Sequence, residues 1–100
     1  MVSVSFKKEN NRIVEVEIKG HANYSDKGKD IVCAAISSIA IYSINLMEKF
    51  GYIITNKVED GYIKMTNNLN SDIVDKILEQ MEAEFINISE EYPKHIYLKH

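Results

Sequence analysis

The first twenty residues alternate between apolar and polar side chains with a period of two. This period is typical of a β-strand with one buried face, and the alternation occurs twice. The apolar positions are Val2, Val4 and Phe6 in the first run and Val14, Val16 and Ile18 in the second. Asn10-Asn11 lies between the runs, and asparagine tolerates the positive φ of a tight turn. The pattern predicts a β-hairpin with Gly20 at its end.

Residues 31–50 are apolar on nearly every side of a helix. One broad stripe of this helix contains Val32, Ala35, Ile36, Ile39, Leu46 and Phe50. A helix that is apolar all round is buried all round, so we expect a sheet, a second helix or another subunit to cover it. Asp30 directly precedes the run and is a favourable N-cap residue, while Gly51 can provide a left-handed C-terminal stop.

The second half of the chain repeats the hairpin pattern and then the helix pattern. Residues 52–58 and 62–67 favour strands, and Asp60-Gly61 between them is a strong hairpin signal. Asn70-Ser71 opens an amphipathic helix whose apolar residues recur at spacings of three and four. These are Val74, Ile77, Leu78, Met81, Phe85 and Ile88.

Pro93 prevents that helix from continuing, and residues 96–98 indicate a short last strand. The predicted order is ββαββαβ. We therefore expect one α+β domain over residues 1–100, with a mixed or antiparallel sheet of about five strands and two helices.

Composition excludes several function classes. The chain has 100 residues, a net charge of −3 and one cysteine. The acidic balance argues against a nucleic-acid binder, and a single cysteine cannot form an internal disulfide. The first ten residues lack the pattern of a secretion signal, so we expect a cytoplasmic protein. The longest mostly apolar run, residues 31–47, is interrupted by polar side chains, and we expect it to be too short and too polar to span a membrane.

The candidate chemistry lies between Gly20 and Ala35. Cys33 would be the third helical residue after Asp30, at the positive end of the helix dipole, where a thiol pKa falls. His21 begins the preceding loop at the end of a strand, twelve residues earlier. Two other interpretations remain open: Cys33 packs as a small hydrophobe, or it belongs to a zinc site with His21, Asp26 and Asp30. No paired ligand spacing supports the zinc site.

Two neighbouring residues each have two interpretations. Ser37 lies one helical turn after Cys33, where its hydroxyl can face the sulfur or a bound peptide, or bond back to the Cys33 carbonyl. Asp30 is either the N-cap alone or a residue that orients His21. The loop over residues 22–29 can act as a lid over a bound peptide.

Gly20-His21-Ala22, Gly28, Asp30-Ile31-Val32-Cys33-Ala34 and Ser37 resemble the signature of the ribosomal-processing cysteine protease family of Firmicutes and related bacteria. The resemblance implies a His21/Cys33 catalytic dyad without a cofactor or metal, supported by Gly20, Gly28, Asp30 and Ser37. It also implies a homodimer that removes the N-terminal extension of a large-subunit ribosomal protein by cutting after an aromatic residue.

The leading hypothesis is therefore a cysteine endopeptidase in which the Cys33 thiolate attacks a peptide carbonyl and His21 transfers the proton. Helix-start amides and loop amides around Gly28 would stabilise the oxyanion. The competing hypothesis is a non-catalytic module that binds a ribosomal or other basic protein through its sheet edge or acidic helix, with Cys33 merely buried.

Overall fold

The computed structural model describes residues 1–20 and 27–100, apart from the side chains of residues 27–30. The elements are β1 (Val2–Glu9), β2 (Arg12–Lys19), α1 (Lys27–Lys49), β3 (Thr55–Glu59), β4 (Tyr62–Thr66), α2 (Asp72–Glu91) and β5 (Ile96–Lys99). The predicted order ββαββαβ and the α+β fold class are confirmed.

The five strands form one mixed sheet in the order β3-β4-β2-β1-β5. Neighbouring strands are antiparallel except for β1 and β5, which run parallel. One face of the sheet packs against both helices, which also contact each other, and this face contains the buried apolar residues of the strands. The opposite face carries the intervening polar side chains and is not covered by a helix of the described chain.

The first hairpin closes as predicted. Asn10 has φ of 53° and Asn11 has φ of 63°, as a two-residue turn with left-handed central residues requires. Val4 pairs with Ile18 and Phe6 with Val16, so these apolar positions of both strands point to the same face. The prediction is wrong at Val14, because the register shifts between Lys7 and Lys8 and Ile13 is buried in the core instead.

The end of α1 also agrees with its prediction. Gly51 has φ of +90°, its amide donates to the Glu48 carbonyl at 2.9 Å, and the Tyr52 amide donates to the Met47 carbonyl at 2.9 Å. These two bonds satisfy carbonyls that a helix end would otherwise leave unpaired. Because the Tyr52 amide is used in the cap, β3 begins at Thr55, three residues later than predicted.

The start of α1 differs from its prediction. The helix begins at Lys27, so Asp30 lies inside its first turn and is not the N-cap residue, and Gly28 is helical rather than part of a loop. Aspartate is favourable in a first turn as well as at an N-cap, because both positions lie near the positive end of the helix dipole. Lysine is a good helix former, and no proline interrupts the segment, so the helix can extend upstream of Asp30.

Helix α2 is anchored at its start by polar contacts. The Val74 amide donates to the Ser71 hydroxyl, which caps the helix at 3.2 Å. Arg12, at the start of β2, donates to both carboxylate oxygens of Asp75 at 3.1 Å. This contact raises the pKa of the Arg12 guanidinium, chiefly through the hydrogen bond to Asp75. Buried Asn67 donates to the Ile13 carbonyl at 3.1 Å and to Oδ1 of Asp75 at 3.3 Å, so it links the hairpin of β1 and β2 to the start of α2.

Helix α1 is apolar enough that composition alone would suggest a membrane-spanning helix. Residues Ile31–Lys49 are long and apolar enough to cross a membrane by those two criteria, so the expectation that the run is too short and polar is wrong. A core helix passes the same test. Val32, Ile36 and Ala40 are fully buried against the rest of the domain, but only 33% of the apolar window is buried. The helix is therefore buried along one side, and the expectation that it is buried all round is wrong within the described chain. The predicted stripe is wrong at Phe50, which is 57% exposed beyond the helix end.

Candidate active site

A small cleft opens at the end of the sheet where β1 begins and β2 ends. Its described lining comes from three parts of the chain, and its volume is about 70 Å³. Helix α1 contributes Cys33, Ile36 and Ser37; the strand ends contribute Val2, Ile18 and Gly20; and the β3–β4 turn contributes Glu59, Asp60, Gly61, Tyr62 and Ile63. The topology therefore brings together three of the predicted site residues, namely Gly20, Cys33 and Ser37.

Cys33 is half-buried and lies on the flank of α1 that borders the cleft. Its neighbours Val32 and Ile36 are fully buried, so the helix is fixed in rotation around its axis at this point. Counting from Lys27, Cys33 is the seventh residue of α1 and not the third as predicted. The helix dipole acts mainly within the first turn, so it contributes less at Cys33 than the sequence argument assumed.

Gly20 lies where two chain segments approach closely. A Cβ atom at this position would stand 3.1 Å from Cγ2 of Val2 and 3.3 Å from the Val2 Cα atom, which is closer than ordinary van der Waals contact. The Gly20 amide donates to the Gly61 carbonyl at 3.0 Å, so the end of β2 is joined to the turn that forms the wall of the cleft. His21 follows Gly20 in sequence and lies outside the described residues.

Ser37 is exposed and lies one helical turn after Cys33 on the same flank. Within the described part of the chain, its hydroxyl makes no hydrogen bond back to α1. Ser43 on the same helix differs, because its hydroxyl donates to the Ile39 carbonyl at 2.8 Å. Of the two interpretations of Ser37, the structure therefore favours a hydroxyl that faces the cleft.

The remaining predicted site residues are only partly described. Gly28 and Asp30 lie in the first turn of α1, and nothing of their side chains is described. Residues 22–26 of the predicted lid lie outside the described residues, while residues 27–29 belong to the helix. The prediction that Asp30 orients His21 stays a prediction.

The backbone amides around the cleft differ in whether they are engaged. The Gly20 amide donates to the Gly61 carbonyl, and Cys33 lies beyond the first turn of α1, where amides have intrahelical acceptors. Gly28 lies in the first turn, where amides lack such acceptors, so the prediction that helix-start amides and amides around Gly28 stabilise the oxyanion stays a prediction.

A tyrosine–glutamate contact fixes the cleft wall, and sequence reasoning missed it. The Tyr62 hydroxyl donates to Oε2 of Glu17 at 2.6 Å. This hydrogen bond lowers the pKa of Glu17 below its usual value and raises the pKa of Tyr62. Glu17 pairs with Lys64 and Lys19 pairs with Tyr62, so Tyr62 and Glu17 are diagonal neighbours on adjacent strands. Only the order of the strands could have revealed this contact.

No group of three or more His, Cys, Asp or Glu side chains could hold a metal ion among the residues that the structure describes. Two members of the zinc set considered from the sequence, His21 and Asp26, lie outside those residues.

Comparison with known proteins identifies the family. The family model described as cysteine protease Prp matches residues 1–97. The chain belongs to the Prp family of cysteine proteases. It is therefore a peptide-bond hydrolase that uses a thiol nucleophile. The ribosomal processing cysteine protease Prp of Mycoplasma genitalium is 32% identical over 90 residues, which cover 80% of this chain and 81% of that protein.

Solved structures of similar proteins agree with the fold. The essential ribosomal processing protease Prp from S. aureus, in complex with a substrate peptide, has a TM-score of 0.84 and 26% identity. The match covers 99% of this chain and 98% of that one. The same S. aureus protease with a covalently linked product peptide has a TM-score of 0.79 and 27% identity, with the same coverage. SMU.848 from Streptococcus mutans has a TM-score of 0.83 and 25% identity, covering 99% of this chain and 92% of that one.

Proposed function

We propose that this protease uses Cys33 as its nucleophile and His21 as its general base and acid. The observation that carries the proposal is the position of Cys33, the only cysteine of the chain, which is half-buried in a cleft. A cysteine kept only for packing would be enclosed by apolar side chains instead. The alternative of a non-catalytic module with a buried structural cysteine is therefore not favoured.

The proposed reaction follows from the chemistry of a thiol and an imidazole. His21 takes the Cys33 proton while Sγ bonds to the carbonyl carbon of the scissile peptide. The C–N bond then breaks, and His21 gives the proton to the leaving amine. Water attacks the resulting thioester, and the Cys33 thiol leaves as the new carboxylate forms. Ser37, which borders the same cleft, is placed to contact the sulfur or the bound peptide.

We further propose that the substrate is the N-terminal extension of a large-subunit ribosomal protein, cut after an aromatic residue in the cytoplasm. The name of the M. genitalium relative and the peptide bound to the S. aureus protease support a peptide from ribosomal processing. Glu59 and Asp60 on the cleft wall and the net charge of −3 favour approach by a basic segment.

The dyad is tested by turnover on a peptide that contains the ribosomal-protein extension. Cys33→Ser should lose cleavage while its thermal unfolding stays close to wild type, because a serine hydroxyl is far less acidic than a thiol. His21→Ala should lose most activity as well. Asn45→Ala is the matched control, because Asn45 is exposed on the same helix and does not line the cleft. Substantial residual turnover in Cys33→Ser would refute the nucleophile.

We also propose a homodimer formed through an apolar groove between α1 and α2. The groove has a volume of about 550 Å³, and Ile39, Tyr42 and Leu46 line it from one helix while Ile77 and Met81 line it from the other. Tyr42 is 69% exposed. An apolar groove of this size on a small domain is typical of an interaction surface.

Sedimentation at micromolar concentration tests the dimer. Wild type should sediment at twice the chain mass of 11.5 kDa, and Tyr42→Glu should shift it towards the monomer. Ile73→Glu, a change at another exposed apolar residue that does not line the groove, should remain dimeric. A wild-type protein that is monomeric throughout would contradict the proposal.

A further inference from the structure

The charges of the molecule are unevenly distributed between its two sides. Helix α2 carries seven carboxylates and one lysine, a net charge of −6, whereas the whole chain has a net charge of −3. The rest of the chain therefore has a net charge of +3. The net charge of the whole chain, which argued against nucleic acid, averages over surfaces that the fold separates.

The outer face of the sheet, which is the face away from the helices, is the more basic side. Its charged side chains alternate with the buried positions of the strands, and they are Lys7, Glu15, Glu17, Lys19, Lys57, Glu59, Lys64 and Lys99. Each of the three glutamates is ion-paired with one of the lysines, at 3.4–3.7 Å. Lys7 and Lys99 form no ion pair within the described chain, so the outer face has an excess of positive charge.

A shallow trough of about 190 Å³ lies along β1 on this outer face. Its polar and aromatic lining consists of Ser3, Ser5, Glu17, Lys19, Tyr97 and Lys99. The strand register explains its shape, because β1 contributes only serines while the strands on either side contribute long side chains. Ser3 pairs with Lys19 on one side and with Tyr97 on the other. Small side chains between large ones leave the middle of the face open.

The β5 side of the trough combines an aromatic ring with a cation. Tyr97 is 59% exposed, so one face of its ring is available to a ligand. Lys99 is two residues further along the strand, and its side chain therefore points to the same face, about 6–7 Å away. An exposed ring for stacking and a nearby ammonium group for phosphate are the two groups that single-stranded nucleic acid requires.

The one carboxylate in the trough already has partners. Oε2 of Glu17 accepts the Tyr62 hydroxyl at 2.6 Å, and Oε1 lies 3.6 Å from Nζ of Lys19. The negative charge of Glu17 is therefore compensated locally, and Lys99 on the other side of the trough has no such compensation within the described chain.

We propose that this trough binds single-stranded nucleic acid, with one base stacked on Tyr97 and the neighbouring phosphates near Lys99 and Lys19. Exposed aromatic side chains on an uncovered sheet are a known way to hold unpaired bases. The inference goes beyond the proposed function and does not depend on the dyad. Because the contacts to phosphate are few, binding should be weak and should fall steeply as the salt concentration rises.

Nucleic acid is favoured over an acidic peptide as the occupant. An acidic peptide would use the lysines but would gain nothing from the exposed ring of Tyr97, whereas a base stacks on it. The net charge of −6 on α2 would repel a polyanion from the helix side, so binding is directed to the outer face of the sheet.

Fluorescence anisotropy of the full chain with a labelled oligonucleotide of about ten nucleotides at low salt tests the stacking contact. Wild type should bind, Tyr97→Ser should weaken binding by about tenfold, and Tyr97→Phe should bind as wild type, because phenylalanine keeps the ring. Thermal unfolding of Tyr97→Ser should stay close to wild type, since the side chain is mostly exposed.

The salt dependence of the same binding tests the phosphate contact. Lys99→Gln should make the slope of log affinity against log salt concentration shallower by about 0.7, the value for one phosphate contact with a single strand. Lys76→Gln is the matched control, because Lys76 is an exposed lysine on acidic α2. This variant should keep the affinity and the salt slope of wild type.

The choice of probe separates the possible ligands. RNA and DNA of one sequence share the phosphates and the bases, so binding of either, with the same dependence on Tyr97 and Lys99, supports the inference and identifies the preferred strand. Polyglutamate of equal charge represents an acidic protein. Polyglutamate that binds as tightly as the oligonucleotides would overturn the inference. No binding of either oligonucleotide at low salt, or unchanged affinity in both Tyr97→Ser and Lys99→Gln, would overturn it as well.

Discussion

The two helices cover the same face of the sheet, but they close it to different degrees. Val74, Leu78, Met81 and Phe85 of α2 are all buried to within 1% of full burial, and both Ser71 and Asp75 tie the helix start to its surroundings. Helix α1 buries a similar stripe but leaves Ile41 and Tyr42 exposed, and it forms one side of the cleft around Cys33. The comparison teaches that both helices contribute to the core, while α1 in addition leaves apolar and reactive side chains open for substrate or a partner.

Removal of a large buried side chain from α2 should show the largest difference between the two regions, because stability should fall while turnover does not. Phe85 is fully buried with its ring centroid 5.9 Å from that of Phe6. Phe85→Ala should lower the free energy of unfolding by about 3–5 kcal/mol through loss of buried surface and creation of a cavity. Urea unfolding measures this loss. Turnover per folded molecule should stay near wild type.

The milder Phe85→Leu should lose less stability and keep the same turnover. If either folded variant lost turnover in proportion to its stability, the two regions would be coupled, and the comparison would fail.

Gly20→Ala, a change beside the cleft, should lower both the stability of the protein and its turnover. The added Cβ would crowd Val2, and relief of such a contact costs about 1–3 kcal/mol of stability. Because Gly20 directly precedes His21 and the Gly20 amide donates to the Gly61 carbonyl, we also expect a fall in turnover. Thermal unfolding and peptide cleavage measure the two effects. Adding Val2→Ala should restore part of both, and wild-type turnover in Gly20→Ala alone would contradict the role assigned to this close approach.

Ser71→Ala should act on stability alone. Loss of the hydroxyl that caps α2 should cost about 1 kcal/mol. Ser89→Ala is the control, because its hydroxyl only bonds back to the Ile86 carbonyl within the same helix. Denaturant unfolding should separate the two variants, while their turnover should not differ from wild type.

Tyr62→Phe should have the smallest effect, and this effect should depend on pH. The hydrogen bond lowers the pKa of Glu17, so its stabilisation is present above the unfolded pKa of about 4.3 and is lost as pH falls through the lower folded value. The pKa of Tyr62 is raised, so stabilisation on that side is present below about pH 10 and is lost as pH rises through the folded value. The difference in Tm between the two proteins should therefore be largest near neutral pH and shrink at both extremes. A constant difference would show that the hydrogen bond is not its cause.

Local patterns predicted most of the fold. The Asn10-Asn11 turn, the Gly51 stop and the Ser71 region each depend on residues that are close in sequence, and all three are confirmed. The second period-two run is wrong at Val14, because a shift in strand register, which local sequence does not encode, puts Ile13 in the core. The start of α1 was wrong because Asp30 satisfies two competing positions at a helix N-terminus.

The candidate site was predictable only in part. Cys33 was identified from its residue type and its place near a helix start, and Gly20 from the family resemblance, and the structure brings them to one cleft with Ser37. The contact between Tyr62 and Glu17 depends on the strand order, in which β4 lies beside β2. No local pattern encodes that order, because pairing of distant strands is decided by the packing of the whole domain.

The central claim is that Cys33 forms a covalent bond to the substrate during cleavage. The most direct test is intact-mass spectrometry of the enzyme after brief mixing with the extension peptide and an acid quench. The account predicts a transient adduct with the mass of the N-terminal fragment, attached at Cys33 and missing in Cys33→Ser. Cleavage at the wild-type rate by a protein whose Cys33 has been fully alkylated, without any adduct, would contradict it.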